Sequence, residues 1–220
     1  MKINVEEEIR AVCPEFVGAA VSITLANTPH STALWQEIER VLTDYRTRLT
    51  TESIKSMPAI QATRRVYKAL GKDPSRYRPS GEALVRRTLQ GKALYQIDTV
   101  VDLINLASIV YGYSIGGFDA DKIVGNTLNL GVGREGEPYE GIGRGMVNIA
   151  GLPVYRDAVG GIGTPTTDHE RTKLTLHTTH LLALVNGYDG DRAQVEQCAQ
   201  YIVQLAEQYA CGRDAQIEWY

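Results

Sequence analysis

No apolar run in this sequence reaches the length of a bilayer crossing, which argues against a helical membrane span. The stretch MKINVEEEIR carries three consecutive glutamates and lacks the basic start and apolar core of an export signal, so a cytoplasmic location is expected. Cysteine is scarce: Cys13, Cys198 and Cys211 are odd in number and form neither a C-x-x-C pair nor a metal-ligand spacing. That excludes a disulfide framework and suits free thiols, buried as small hydrophobes in a reducing compartment. Histidine is equally sparse. His177 and His180 read H-x-x-H, but residues three apart on a strand face opposite ways, so no metal site and no cofactor is expected. No G-x-x-x-x-G-K-[ST] occurs, which excludes a P-loop. Internal repeats and low-complexity linkers are also missing, leaving no boundary along which to divide the chain.

What is present is an ordinary globular composition. At 220 residues, with 43% hydrophobic and 22% charged, the chain is long enough to bury a core without staples. Its charge is uneven. Residues 55–92 hold ten Lys or Arg against Asp73 and Glu82, a stretch of +8 within a chain of net −3, leaving −11 for the remainder. A basic segment in an acidic protein fits a polyanion such as RNA, since neutralising phosphates releases counterions; a solvated surface is the alternative. The RNA-contact candidates are Arg65, Arg78, Arg86 and Arg87, the last two expected on an exposed helix side.

Periodicity predicts helices in the first half and strands in the second. EFVGAAVSITLA reads as a strand, followed by a helix capped by Ser31 or Thr32 and striped by Leu34, Ile38, Val41, Leu42, Tyr45 and Leu49. IQATRRVYKALG reads as a helix ending at Gly71, and Ser80 is a plausible cap for a helix closing at Gly91. Asp98 is placed to cap TVVDLINLASIVYG, which puts Asn105 beside an apolar face. KIVGNTLNLGVG, MVNIAGLPVYRDAVGG and TKLTLHTTHLLALVNG read as strands, and a helix is expected from Asp191 to Tyr209, stopped by Gly212. The predicted class is α/β in the broad sense (α+β): a single compact domain over residues 1–220 with a mixed or antiparallel β core flanked by helices.

Four ordered blocks, GKDPSRYRPSGEALVRR, QGKALYQIDTVVDLINLASI, IGGFDADKIVGNTLNLGVGREGEPYEGIG and GGIGTPTTDHERTKL, resemble the B3/B4 domain of the phenylalanyl-tRNA synthetase β subunit, and in particular the stand-alone B3/B4 proteins. The resemblance covers roughly residues 60–184. It implies a B3/B4 architecture and an RNA-directed protein, binding an aminoacyl-tRNA in trans and editing it by ester hydrolysis, as that domain removes misattached tyrosine in the synthetase. No aminoacylation machinery accompanies it. The family's GQPxHAFD block aligns with GYSIGGFD, which places its site histidine on Gly116, and the family's glutamate falls near His177 or Thr178. The bacterial editing pair is thus missing. Two alternatives follow: a binding protein for an amino-acid-like small molecule, or a silent domain that docks on another protein. The expected partners are tRNA or a free amino acid, with neither membrane nor DNA.

The resemblance implies that the glycine-rich loop at residues 160–172 lines the amino-acid side of a cleft, which makes it the candidate substrate site. Gly161 and Gly163 let backbone approach a ligand, while Thr164, Thr166 and Thr167 offer hydroxyls, with Asn105 facing the same cleft. Thr167 or Asp168 is equally readable as closing a turn. His169 is the general-base candidate by reach and near-neutral pKa, against a reading as a solvent-facing loop histidine. Asp119 and Asp121 are read as structural.

Overall fold

In the computed structural model, which describes residues 1–220, the chain runs β1 (Lys2–Val5), α1 (Glu7–Val12), β2 (Val17–Thr24), α2 (Thr32–Arg48), α3 (Pro58–Ala69), α4 (Ser80–Leu89) and α5 (Thr99–Tyr111). It continues β3 (Ile115–Asp119), β4 (Thr127–Val132), β5 (Glu140–Gly141), β6 (Gly145–Met146), β7 (Pro153–Arg156), β8 (Gly161–Gly163), β9 (His180–Gly187), α6 (Arg192–Tyr209) and β10 (Arg213–Trp219). The fold is α+β. No helix is long and apolar enough to cross a membrane.

Helix ends follow local chemistry. Ser31 accepts from the Leu34 N–H at 3.3 Å, Asp98 from Val101 at 2.9 Å and Asp191 from Gln194 at 2.9 Å, each satisfying a first-turn donor. Gly112, at φ 76°, ends α5 in the left-handed conformation that a residue with a Cβ adopts at a cost. Ser80 departs from its expected role. Pro79 holds the cap position, and Ser80 is the first helical residue, its N–H donating to Pro165 O at 2.7 Å. Its hydroxyl is left free to face a cavity.

Two four-stranded sheets form. One, ordered β10-β2-β9-β3, is antiparallel throughout; the other, ordered β1-β4-β7-β8, pairs β1 with β4 in parallel and the rest antiparallel. The run HLLALVNG explains how they stack. Alternate residues of β9 face opposite ways, so Leu181, Ala183 and Val185 enter a core of 30 buried residues shared with α2, α4, α5 and α6. Leu182 and Leu184 enter a second core of 14, with Leu128, Leu130, Tyr155 and Ile162 from the other sheet. The layers are therefore helices, one sheet, then the second sheet.

Several strands differ from the sequence reading. In TKLTLHTTHLLALVNG only the second half is strand; Asn27 Nδ2 donates to Thr175 O at 3.0 Å and the Thr178 hydroxyl accepts from Thr175 N at 2.9 Å, holding residues 173–179 irregular. The segment around residues 153–163 forms two short strands rather than one long one, and β8 lies at a sheet edge, clear of Pro165. Strands β1 and β10 and helix α1 were not anticipated. Cys13 and Cys198 are buried as expected, but Cys211 is exposed.

Candidate functional site

A cavity of about 460 Å³ opens where the helical layer meets the end of β3. Helix α5 presents one stripe to it, Val101, Ile104, Asn105 and Ser108, at spacings of three and four that put all four on one face. Leu84 and Ser80 of α4, Ile115 and Gly117 of β3, and Thr164, Thr167 and Asp168 of the glycine-rich segment complete most of the wall. The lining is mainly aliphatic and contains no aromatic ring. Asn105 enters this wall as the sequence suggested, and its amide makes no hydrogen bond within the chain.

Asp168 supplies the only carboxylate in the lining. Its Oδ2 accepts from the Gly117 N–H at 3.2 Å. The Phe118 ring packs where side chains at Gly116 and Gly163 would stand: a Cβ there would come 2.7 Å and 2.4 Å from the ring's Cζ. Asp168 Oδ1 borders the same two glycines, 3.6 Å and 2.9 Å from those positions. Burial pushes the Asp168 carboxyl up to about 7, and the Gly117 hydrogen bond only partly opposes this. The sequence marked the loop but read this residue as a turn. What signals its chemistry is a neighbour 51 residues away, which no local motif encodes.

The remaining candidates are distributed unequally. Thr164 and Thr167 line the cavity, although the Thr164 hydroxyl also donates to Thr167 O at 3.0 Å. Thr166 does not; its hydroxyl pairs with the buried Tyr67 hydroxyl at 2.9 Å and donates to Tyr77 O at 3.0 Å. Gly161 pairs with Arg156 in β8 and backs onto Tyr139, and Gly163 backs onto Phe118, so both are close-packing glycines outside the wall. His169 is also outside it. Its Nδ1 accepts from Arg171 N at 3.0 Å and its ring meets Tyr139 edge-on at 5.0 Å, while burial, then the Arg171 charge, lowers its pKa. Its neighbour Asp168 is the one that lines the cavity.

At the positions that the sequence resemblance aligns with the editing pair, Gly116 has no side chain and Phe118 fills its place, His177 is exposed, and the Thr178 hydroxyl donates to Asp119 Oδ2 at 2.9 Å. Asp119 also meets Lys122 at 3.3 Å, and Asp121 meets His180 at 2.9 Å. These are strand-end contacts away from the cavity.

The basic segment is partly self-neutralised. Arg64, Arg78 and Arg86 converge on Glu82, whose side chain is 2% exposed, at 2.8, 3.6 and 3.2 Å. Arg86 and Arg87 were expected on an exposed side, and both are half-buried. Arg87 donates to Ala93 O at 2.6 Å and lies 4.2 Å from the centroid of the Tyr95 ring. Arg65 and Arg78 are exposed.

Gly117 keeps the cavity open. A Cβ there would lie 2.7 Å from Ile104 Cδ1 and 3.2 Å from Leu174 Cδ1, two lining residues. Gly117→Ala is expected to cost about 1–3 kcal/mol through overpacking and to weaken binding of the cavity's occupant. Thermal melts with and without ligand check both effects; an unchanged melt and affinity would show that the wall has room to yield.

The family model described as the B3/4 domain matches residues 62–211. Among solved structures, the chain is similar to an N-terminal fragment of the phenylalanyl-tRNA synthetase beta-subunit from Pyrococcus horikoshii. The two share 13% identity and a TM-score of 0.50, over 98% of this chain and 50% of that one. This chain thus spans about half the length of that fragment, and the likeness is one of fold. No curated protein matches the sequence.

Proposed function

The chain belongs to the B3/4 domain family, and from that premise we propose that it binds the acyl end of an aminoacyl-tRNA in trans and hydrolyses the ester. The observation that carries this reading is the placement of Asp168, a lone carboxylate with near-neutral affinity for a proton, in the wall of an aliphatic cavity. The aliphatic wall suits an amino-acid side chain, and Asn105 and Ser80 offer donors to a carbonyl oxygen. Asp168 takes a proton from water as the water oxygen bonds to the acyl carbon. The bond to the ribose oxygen then breaks, and that oxygen recovers the proton.

The charge of the wall favours an ester over a free amino acid. A free carboxylate entering the cavity meets Asp168, and the only cation in the lining, Lys173, already pairs with Glu170. An ester carries no such charge. The exposure of Arg65 and Arg78 in the basic segment supports contact with phosphates, with Arg78 sharing its charge with Glu82 at 3.6 Å.

The direct test is release of amino acid from charged tRNAs by the purified chain, with tyrosine and phenylalanine among the acyl groups. Release at least ~10²-fold above the spontaneous rate is expected for one of them, the lower bound for a positioned general base. Release no faster than spontaneous for every charged tRNA, with saturable binding of a free amino acid instead, would replace this reading with the small-molecule one.

A further inference from the structure

We propose that Tyr95, backed by Arg87, is a stacking platform for an unpaired nucleobase beside the cavity; the proposal rests on the functional reading above and names the part of the nucleic acid that is gripped there. Of sixteen aromatic residues, Tyr95 is the one exposed to solvent, at 68%. Burying or half-burying the other fifteen is what the hydrophobic effect dictates, and Tyr95 is held out of that pattern.

The ring is presented rather than left loose. Arg87 covers one face at 4.2 Å, and its guanidinium is fixed by donation from Nε to Ala93 O at 2.6 Å. Two residues on, Ile97 N donates to Asp102 Oδ1 at 3.1 Å, and Asp102 is buried and accepts from Trp35 Nε1 at 2.7 Å. The loop is therefore pinned on both sides of Tyr95. Ile97 lines the cavity, so the platform stands at its margin.

The surroundings select a base over an apolar peptide. Gln90, Lys92 and Gln96 are exposed on the same loop, which follows directly on the C-terminal end of the +8 segment at Lys92. A peptide would find one ring among polar groups. A nucleobase needs only a π face and a nearby cation for its phosphate, and stacking of this kind is tolerant of sequence.

Tyr95→Ala, Tyr95→Phe and Tyr95→Trp, each measured for equilibrium binding of uncharged tRNA over a range of salt, test the proposal. Loss of the ring is expected to weaken binding by about 5- to 150-fold, the factor that stacking of one base supplies. The Phe and Trp variants should bind as the parent does. The log–log salt slope should be the same in all, because no phosphate contact is removed. A short oligonucleotide ending in 2-aminopurine adds a spectroscopic reading: its fluorescence should be quenched by the parent and not by Tyr95→Ala. If the parent binds tRNA and Tyr95→Ala binds it equally well, or Tyr95→Phe fails as badly as Tyr95→Ala, the platform is wrong while the functional reading stands. If the parent binds no tRNA at low salt, the functional reading itself falls, and the platform with it.

Discussion

Asp168→Asn is expected to lower ester hydrolysis by about 10²–10⁴-fold, the usual contribution of a positioned general base, while making the fold more stable above pH 7. The two effects share one cause. In the folded chain the carboxyl releases its proton at about 7, against 3.8 for an unperturbed group, because burial disfavours the charged form. The folded state therefore binds the proton more tightly than the unfolded state does. Stability from this group is fully present below about 3.8 and falls as pH rises through the interval up to about 7. Above that, the fold carries a buried charge at a cost on the order of a few kcal/mol. Asparagine has nothing to ionise, and its carbonyl oxygen can still accept from Gly117. Melts at pH 4, 6 and 8 should show the variant gaining on the parent as pH rises, with its largest advantage at pH 8. The parent's hydrolysis rate should climb between pH 6 and 8 as the carboxylate forms. A variant that keeps the parent's rate, or melts that run parallel at all three pH values, would remove Asp168 from the chemistry.

Residues that took their structure from near neighbours were readable, and those that took it from distant ones were not. Ser31, Asp98 and Asp191 each cap a helix through an N–H three residues away, and each was visible as a polar residue before an apolar stripe. Asn105 was legible for the same reason, since helical spacing alone sets it beside Val101, Ile104 and Ser108. Strand β10 pairs with β2, almost two hundred residues earlier, and its alternation of exposed and half-buried side chains gives no strong apolar signal. Strand β1 has four residues and its partner is β4. Neither had a local cue. Such strands are defined by the edge they complete, and propensity says little about edges.

The candidate site divides in the same way. The glycine-rich loop announced itself, but only the fold shows which of its residues face the cavity. Thr164 and Thr167 do, while Thr166 turns to Tyr67 and Gly163 to Phe118. Asp168 became chemically distinct only when Gly117 and the Phe118 ring closed around it. Phe118 also accounts for the glycines at 116 and 163: its ring occupies the space a side chain would need at either.

The arginines carried a signal that charge counting overlooked. Glu82 precedes Arg86 by four residues, a spacing that places the pair on one face of α4, and Arg78 reaches the same carboxylate from the turn before the helix. Glu82→Gln is expected to destabilise the fold by about 3 kcal/mol, or roughly 6–12 °C in melting temperature for a chain of this size. The carboxylate is almost wholly buried, and removing its charge leaves three guanidiniums facing one another without a counter-charge. The loss should fall at the lower end for a broken buried pair, because Arg64, Arg78 and Arg86 keep 21%, 42% and 34% of their side-chain surface in water. Added salt should recover part of it by screening the repulsion among the arginines. Binding to tRNA should move in the opposite direction. The segment of +8 becomes +9, and guanidiniums released from Glu82 are free to meet phosphates, so affinity at low salt should rise and the salt slope steepen by about 1 for each added contact. Opposite signs for stability and affinity are the diagnostic result. An unchanged melt would mean that Glu82 does not anchor the cluster, and affinity falling together with stability would mean that the arginines act only through the fold.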